Sequence, residues 1–135
     1  MTGIVVVSHS PALAQAAVDF AMVMVHDDGP PLRIAAGTAD GEVGTDAAAI
    51  AEAIGDVCDE QGAVVFCDIG SAILSAQTAL EFVDPAVAER TDISPAPLVE
   101  GLIGAVVTAS AGADRERVLQ EADQAVEAKR QQVTG

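Results

Sequence analysis

Ile4-Val5-Val6-Val7-Ser8-His9-Ser10-Pro11 is the stretch on which the fold turns. Four consecutive β-formers predict a strand covered on both faces. A polar break ends the strand, and a helical pattern starts at once. Ser10 suits an N-cap and Pro11 the first helical position. His9 therefore falls where the carboxyl end of a strand meets the amino end of a helix. Ligands of open parallel sheets gather at such edges.

Working outward, apolar residues recur at Leu13, Ala16, Ala17, Phe20 and Met24, a helical stripe that ends at Asp27-Asp28-Gly29-Pro30-Pro31. Leu32 to Ala36 reads as a second strand. The glycine-rich run Gly37 to Thr45 follows, with Thr45 placed to cap a helix striped by Ile50, Ile54, Val57 and Cys58. Ala63 to Cys67 reads as a third buried strand, broken by Asp68-Ile69-Gly70-Ser71. Ala72 to Phe82 is helical in pattern. Val87 to Ile93 has the weaker, partly polar pattern of an edge strand. Pro97 opens a helix through Leu98, Leu102, Ile103, Val106 and Val107. After Gly112, Asp114 caps a last helix carrying Val118, Leu119, Ala122, Ala125 and Val126. A charged tail from Lys129 is expected to fray.

Strands alternating with helices imply parallel pairing through right-handed crossovers. The expected fold is α/β: a small, doubly wound, mostly parallel sheet in three layers, with helices on both faces and a flavodoxin-like strand order. The 135 residues form one domain, 1–135, with no repeat and no linker. In that order the first and third strands are neighbours across the switch point. The breaks Ser8-His9-Ser10 and Asp68-Ile69-Gly70-Ser71 then lie side by side, flanked by Gly37–Thr45.

Composition narrows the function. A net charge of −15 disfavours nucleic acid and anionic membrane surfaces as partners. No apolar run approaches the about 18–20 residues of a membrane span. The first strand follows Met1 directly, so a soluble cytoplasmic protein is expected. Cys58 and Cys67 have no second ligand at metal spacing, and buried thiols rather than a disulfide or a zinc site are expected. Gly37–Thr45 lacks the Lys-Ser/Thr ending of a phosphate loop, so a turn is favoured over nucleotide binding.

That leaves His9 and Asp68. A carboxylate accepting the Nδ1–H bond fixes the imidazole tautomer and leaves Nε2 with an outward lone pair, fit to act as base, ligand or nucleophile. The helix ends near Ser10 and Ser71 offer free N–H groups to an anion, and Gly70 lets the backbone approach closely. Each residue also has a plainer reading. A histidine after a strand is often an ordinary loop residue, and Asp68 alone is an ordinary turn or cap. His26, beside Asp27-Asp28, is read as structural.

The runs Gly3–Ser10, Gly37–Gly41, Val43–Thr45, Asp68–Ala72 and Ala96–Gly101, in that order, resemble the DhaM subunits of phosphotransferase-dependent dihydroxyacetone kinases, which are similar to mannose-type EIIA domains. The resemblance covers roughly Gly3 to Val126. It implies that His9 is phosphorylated on its tele nitrogen by the phosphocarrier HPr, as the phosphotransferase component of the kinase. His9 would pass the phosphoryl group to ADP on the DhaL subunit, and the ATP formed would phosphorylate dihydroxyacetone held on DhaK. Asp68 matches the carboxylate beside that histidine. Gly70 and Ser71 match the loop lining the site, and Thr38 lies in the loop facing it. A homodimer is implied, with no tightly bound cofactor and no metal. Some members carry fused HPr-like and enzyme I-like domains; the expectation here is a domain served by separate carriers. Two alternatives stay open: an EIIA domain donating to an EIIB protein, and an acidic interaction module whose histidine is never modified.

Overall fold

The computed structural model describes residues 1–135. Four strands, β1 (Gly3–Ser8), β2 (Leu32–Ala36), β3 (Ala63–Cys67) and β4 (Thr91–Ser94), form one sheet in the order β2-β1-β3-β4. All three pairings are parallel. Around it lie α1 (Pro11–Met22), α2 (Ala47–Val57), α3 (Gly70–Ala79), α4 (Pro85–Glu89), α5 (Leu98–Ser110), α6 (Arg115–Asp123) and α7 (Ala125–Thr134).

The central strands are buried at every residue, which is why they read as unbroken apolar runs. Their alternate side chains feed two cores. Ile4, Val6, Val64 and Phe66 face α1, α5 and α6. Val5, Val7, Val65 and Cys67 face α2 and α3. The chain steps from β1 outward to β2, then returns past β1 to β3. The winding therefore reverses between β1 and β3, and the crevice at their carboxyl ends is the switch point.

Small side chains let the helices lie close. Ala14, Ala17, Val18 and Ala21 are the buried face of α1. Leu13, Phe20 and Met24, expected in the core stripe, point outward at 44%, 54% and 52% exposure. Size misleads here, because the narrow gap between helix and sheet selects alanine. On α5, Gly101 allows a close approach to Ala96, whose Cβ lies 2.7 Å from where an added Cβ would stand, with the Phe66 ring in ordinary contact at 3.5 Å. Gly3 marks another close approach: an added Cβ would sit 2.3 Å from the Val57 carbonyl oxygen. Gly3→Ala is expected to cost about 1–3 kcal/mol in urea denaturation through overpacking. An unchanged midpoint would mean that this end of α2 yields freely.

Other differences from the sequence reading are local. Asp46, not Thr45, caps α2, accepting from Ala48 and Ala49 N–H; a carboxylate is the stronger acceptor. The Thr45 hydroxyl instead meets Ser75 Oγ at 2.6 Å. Cys58 is the residue after α2, half-buried rather than helical, and both cysteines are free. The helix α3 stops at Ala79, short of Phe82. Val87 belongs to α4, started by Asp84 and Pro85, and only Thr91–Ser94 forms the edge strand. The last helix breaks at Gln124 into α6 and α7, leaving Val126 exposed. From Lys129 to Thr134 the chain is helical, and Lys129 reaches Glu100 of α5 at 3.1 Å. His26 sits in the turn after α1 at φ +56°, exposed.

Candidate functional site

The site begins with register. Val7 pairs with Cys67, and Asp68 N–H donates to Val7 O at 3.1 Å, so the next residues on each strand, Ser8-His9 and Asp68, face each other. The two residues that sequence pairs in chemistry are thus brought together by the sheet.

Asp68 receives four donors, two on each oxygen. Oδ2 accepts from Ser8 Oγ–H at 2.9 Å and from the His9 backbone N–H at 2.9 Å. Oδ1 accepts from the Ile69 backbone N–H at 2.7 Å and lies 3.0 Å from His9 Nδ1. Burial pushes the carboxyl up, but the backbone bonds from His9 and Ile69 and the side-chain bonds from His9 and Ser8 outweigh it, holding Asp68 below the usual carboxylate range. An ionised Asp68 can only accept, so the shared proton sits on Nδ1 and Nε2 is left with its lone pair. That Nε2 meets Ser71 Oγ, which as the only hydroxyl there donates to it.

Ser71 stands in the first turn of α3. Ile69 caps that helix without a side-chain bond, and the Gly70 and Ser71 N–H groups donate to no protein acceptor. The helix end therefore presents polarised donors and a hydroxyl beside Nε2. Of the other expected residues, Ser10 caps α1 through Leu13 N–H at 3.2 Å. Thr38 Oγ1 accepts from Glu42 N–H at 3.2 Å. Neither hydroxyl touches the imidazole. The loop that carries Thr38 is nevertheless tied to the site, since Gly44 N–H donates to His9 O at 3.1 Å. Gly44 does so at φ +147°, open to glycine but strained for other residues.

Ser8 is the site residue that sequence reasoning passed over. It is completely buried and joins Asp68 to the backbone, accepting Ser10 N–H at 3.0 Å. A serine closing an otherwise apolar buried strand was the available signal. Cys67, beside Asp68, is inert. Burial, with the Asp68 charge adding to it, pushes its thiol up to about 12.

No cation reaches the site. Arg33, Arg115, Arg117, Lys129 and Arg130 each pair with a carboxylate elsewhere, and Arg90 donates to the Asp59 and Ala86 carbonyls. His9 keeps 20% of its side chain exposed, on an open edge rather than in a cavity. The grooves of about 490, 430 and 340 Å³ have none of the site residues in their linings. No group of three or more potential metal ligands occurs, and no helix is long and apolar enough to cross a membrane.

Fold and site together define a doubly wound α/β domain with an oriented histidine at the switch point. The family of the PTS system fructose IIA component, EIIA-man, matches residues 3–119. The DhaM phosphoryl donor subunits of PEP-dependent dihydroxyacetone kinase from Klebsiella michiganensis and Escherichia coli are 45% and 43% identical over 98% of the chain. This chain spans 29% of the length of each. The DhaM of a dihydroxyacetone kinase 2 from Listeria innocua is 42% identical, over 90% of this chain and 96% of that one. In three dimensions the chain is similar to the crystal structure of EF1359, a protein of unknown function, at TM-score 0.75 and 26% identity, covering 90% of this chain and 93% of that one. The chain belongs to the EIIA-man family and, within it, to the DhaM phosphoryl donor subunits.

Proposed function

We propose that this domain is a phosphohistidine carrier that accepts a phosphoryl group from HPr and delivers it to ADP held on DhaL, for phosphorylation of dihydroxyacetone on DhaK. The observation that carries the reading is the Asp68–His9–Ser71 line, which fixes the proton on Nδ1 and leaves Nε2 facing a helix amino end. In the first step the Nε2–P bond forms as the donor's N–P bond breaks. In the second, a terminal phosphate oxygen of ADP attacks phosphorus and the Nε2–P bond breaks, returning the lone pair to His9. The phosphoryl oxygens face the Gly70 and Ser71 N–H groups and the Ser71 hydroxyl, which swings from Nε2 to the new anion.

The absence of cations from this edge suits a carrier, because tightly bound charge would trap the phosphoryl group. The positive charge needed in the transition state comes from the partner, as an arginine finger does in trans. An open edge without a small-molecule cavity fits protein donors and acceptors. The relatives are named as phosphoryl donor subunits of dihydroxyacetone kinases, which favours an acceptor within such a kinase over an EIIB protein. The reading takes the domain to act in the cytoplasm as a homodimer, without a tightly bound cofactor.

Intact-mass spectrometry after incubation with phosphoenolpyruvate, enzyme I and HPr tests it. One acid-labile phosphoryl group is expected on the wild type and none on His9→Ala. Addition of DhaL and ADP should discharge it, with slow loss to water in their absence. An unmodified wild type beside active donor proteins would refute the carrier role.

A further inference from the structure

We propose that Ser8 is a positioning residue for His9, transmitting the fixed polarity of a backbone N–H through Asp68 to the imidazole. The proposal rests on the carrier reading only for its kinetic consequence. Its basis is the direction of four hydrogen bonds. Ser10 N–H can only donate, and it donates to Ser8 Oγ at 3.0 Å. The Ser8 hydroxyl has a single proton, which is directed to Asp68 Oδ2 at 2.9 Å. The same oxygen also receives the His9 N–H, so it has no need of a proton of its own. Oδ1 receives the Ile69 N–H and faces His9 Nδ1. Three of these donors cannot reverse, being two backbone N–H groups on Asp68 and one on Ser8. Ser8 is the one member of the set whose hydroxyl could turn, and Ser10 N–H prevents it.

Burial makes the arrangement exacting. Ser8 is 0% exposed, so water cannot replace its hydroxyl. Ser8 is held along β1 and by the Gly37 N–H donating to its carbonyl at 3.1 Å. Without the hydroxyl, Asp68 Oδ2 keeps one donor of two, and Ser10 N–H loses its acceptor. With three of its four donors left, the carboxylate is held less tightly and binds a proton more readily, and each change loosens its hold on Nδ1.

The test uses the full chain, ¹⁵N-labelled at histidine, as wild type and Ser8→Ala. Long-range ¹H–¹⁵N spectra at a pH where the imidazoles are neutral read the tautomer, with exposed His26 as internal reference. The wild-type His9 should be the Nδ1–H form. In the variant its two nitrogen shifts should move toward each other as the Nε2–H form is populated, while His26 stays unchanged. Phosphoryl transfer from phospho-HPr should slow roughly 10- to 100-fold in kcat with KM for HPr preserved, as expected for loss of one bond to a charged group. Wild-type tautomer and wild-type kcat in the variant would overturn the proposal. If Ser8→Ala fails to fold, Ser8→Cys, similar in size and a weak donor, is read in the same way. Failure of the wild type to accept phosphoryl would sink the carrier reading alone, because the tautomer spectra still decide the role of Ser8.

Discussion

Asp68→Asn is expected to slow phosphorylation of His9 by up to roughly 10⁴-fold, the loss that follows when the carboxylate behind a catalytic histidine becomes an amide. The reason lies in the donor count. Four donors converge on the two oxygens of Asp68. An asparagine offers one acceptor oxygen and one NH₂ group. With the NH₂ in the Oδ1 position, it faces the Ile69 N–H and forces His9 to carry its proton on Nε2, blocking the nucleophile. With the NH₂ in the Oδ2 position, it faces the His9 N–H and the Ser8 hydroxyl, and the loop must shift. Either orientation damages the site without removing bulk. Single-turnover transfer from phospho-HPr measures the effect, and a loss of less than threefold would show that Asp68 does not control the tautomer.

The same substitution has a signature in stability. Because the folded-state pKa of Asp68 is depressed, its ionised form stabilises the fold above the unfolded carboxylate value of about 3.9. That contribution is lost as pH falls through the folded value. The stability difference between wild type and Asp68→Asn should therefore shrink on acidification below about pH 4. Urea denaturation across that interval measures it. A difference that stays constant would mean that the folded and unfolded carboxyls titrate alike.

Phe66→Ala is expected to lower stability by about 3–5 kcal/mol, the usual cost of emptying a buried aromatic site. The chain has three phenylalanines, and Phe66 alone is in the core; Phe20 and Phe82 are 54% and 61% exposed. Phe66 lies against Gly101 of α5 in a core otherwise rich in alanine and valine. For a domain of this size the loss corresponds to roughly 10–18 °C in Tm. A change below about 1 kcal/mol would mean that the α5 side of the core repacks freely.

The two central strands were legible as Ile4–Val7 and Ala63–Cys67 because a strand covered on both faces must be apolar throughout. The alternation of strands and helices then implied parallel pairing and the β1/β3 switch point. His9 and Asp68 followed as neighbours, each being the polar break after one of those strands. The buried face of α1 was not legible in the same way. Leu13, Phe20 and Met24 form a convincing stripe, yet the gap above the sheet admits only Ala14, Ala17, Val18 and Ala21. Hydrophobic periodicity reports which residues avoid water. It does not report the distance between two packed layers.

The sequence by itself determined the winding of the chain and the pair of residues at its switch point, because both follow from burial pattern and connectivity along the chain. Only the tertiary structure decided how that pair is set. Ser8 and Asp68 are 60 residues apart, and His9 and Ser71 are 62 apart. Whether a hydroxyl donates to the carboxylate or to the imidazole depends on strand register and on the angle at which α3 leaves β3. Hydrogen bonds are directional over a few tenths of an ångström, a precision fixed by the packed sheet and its helices rather than by any local stretch of residues.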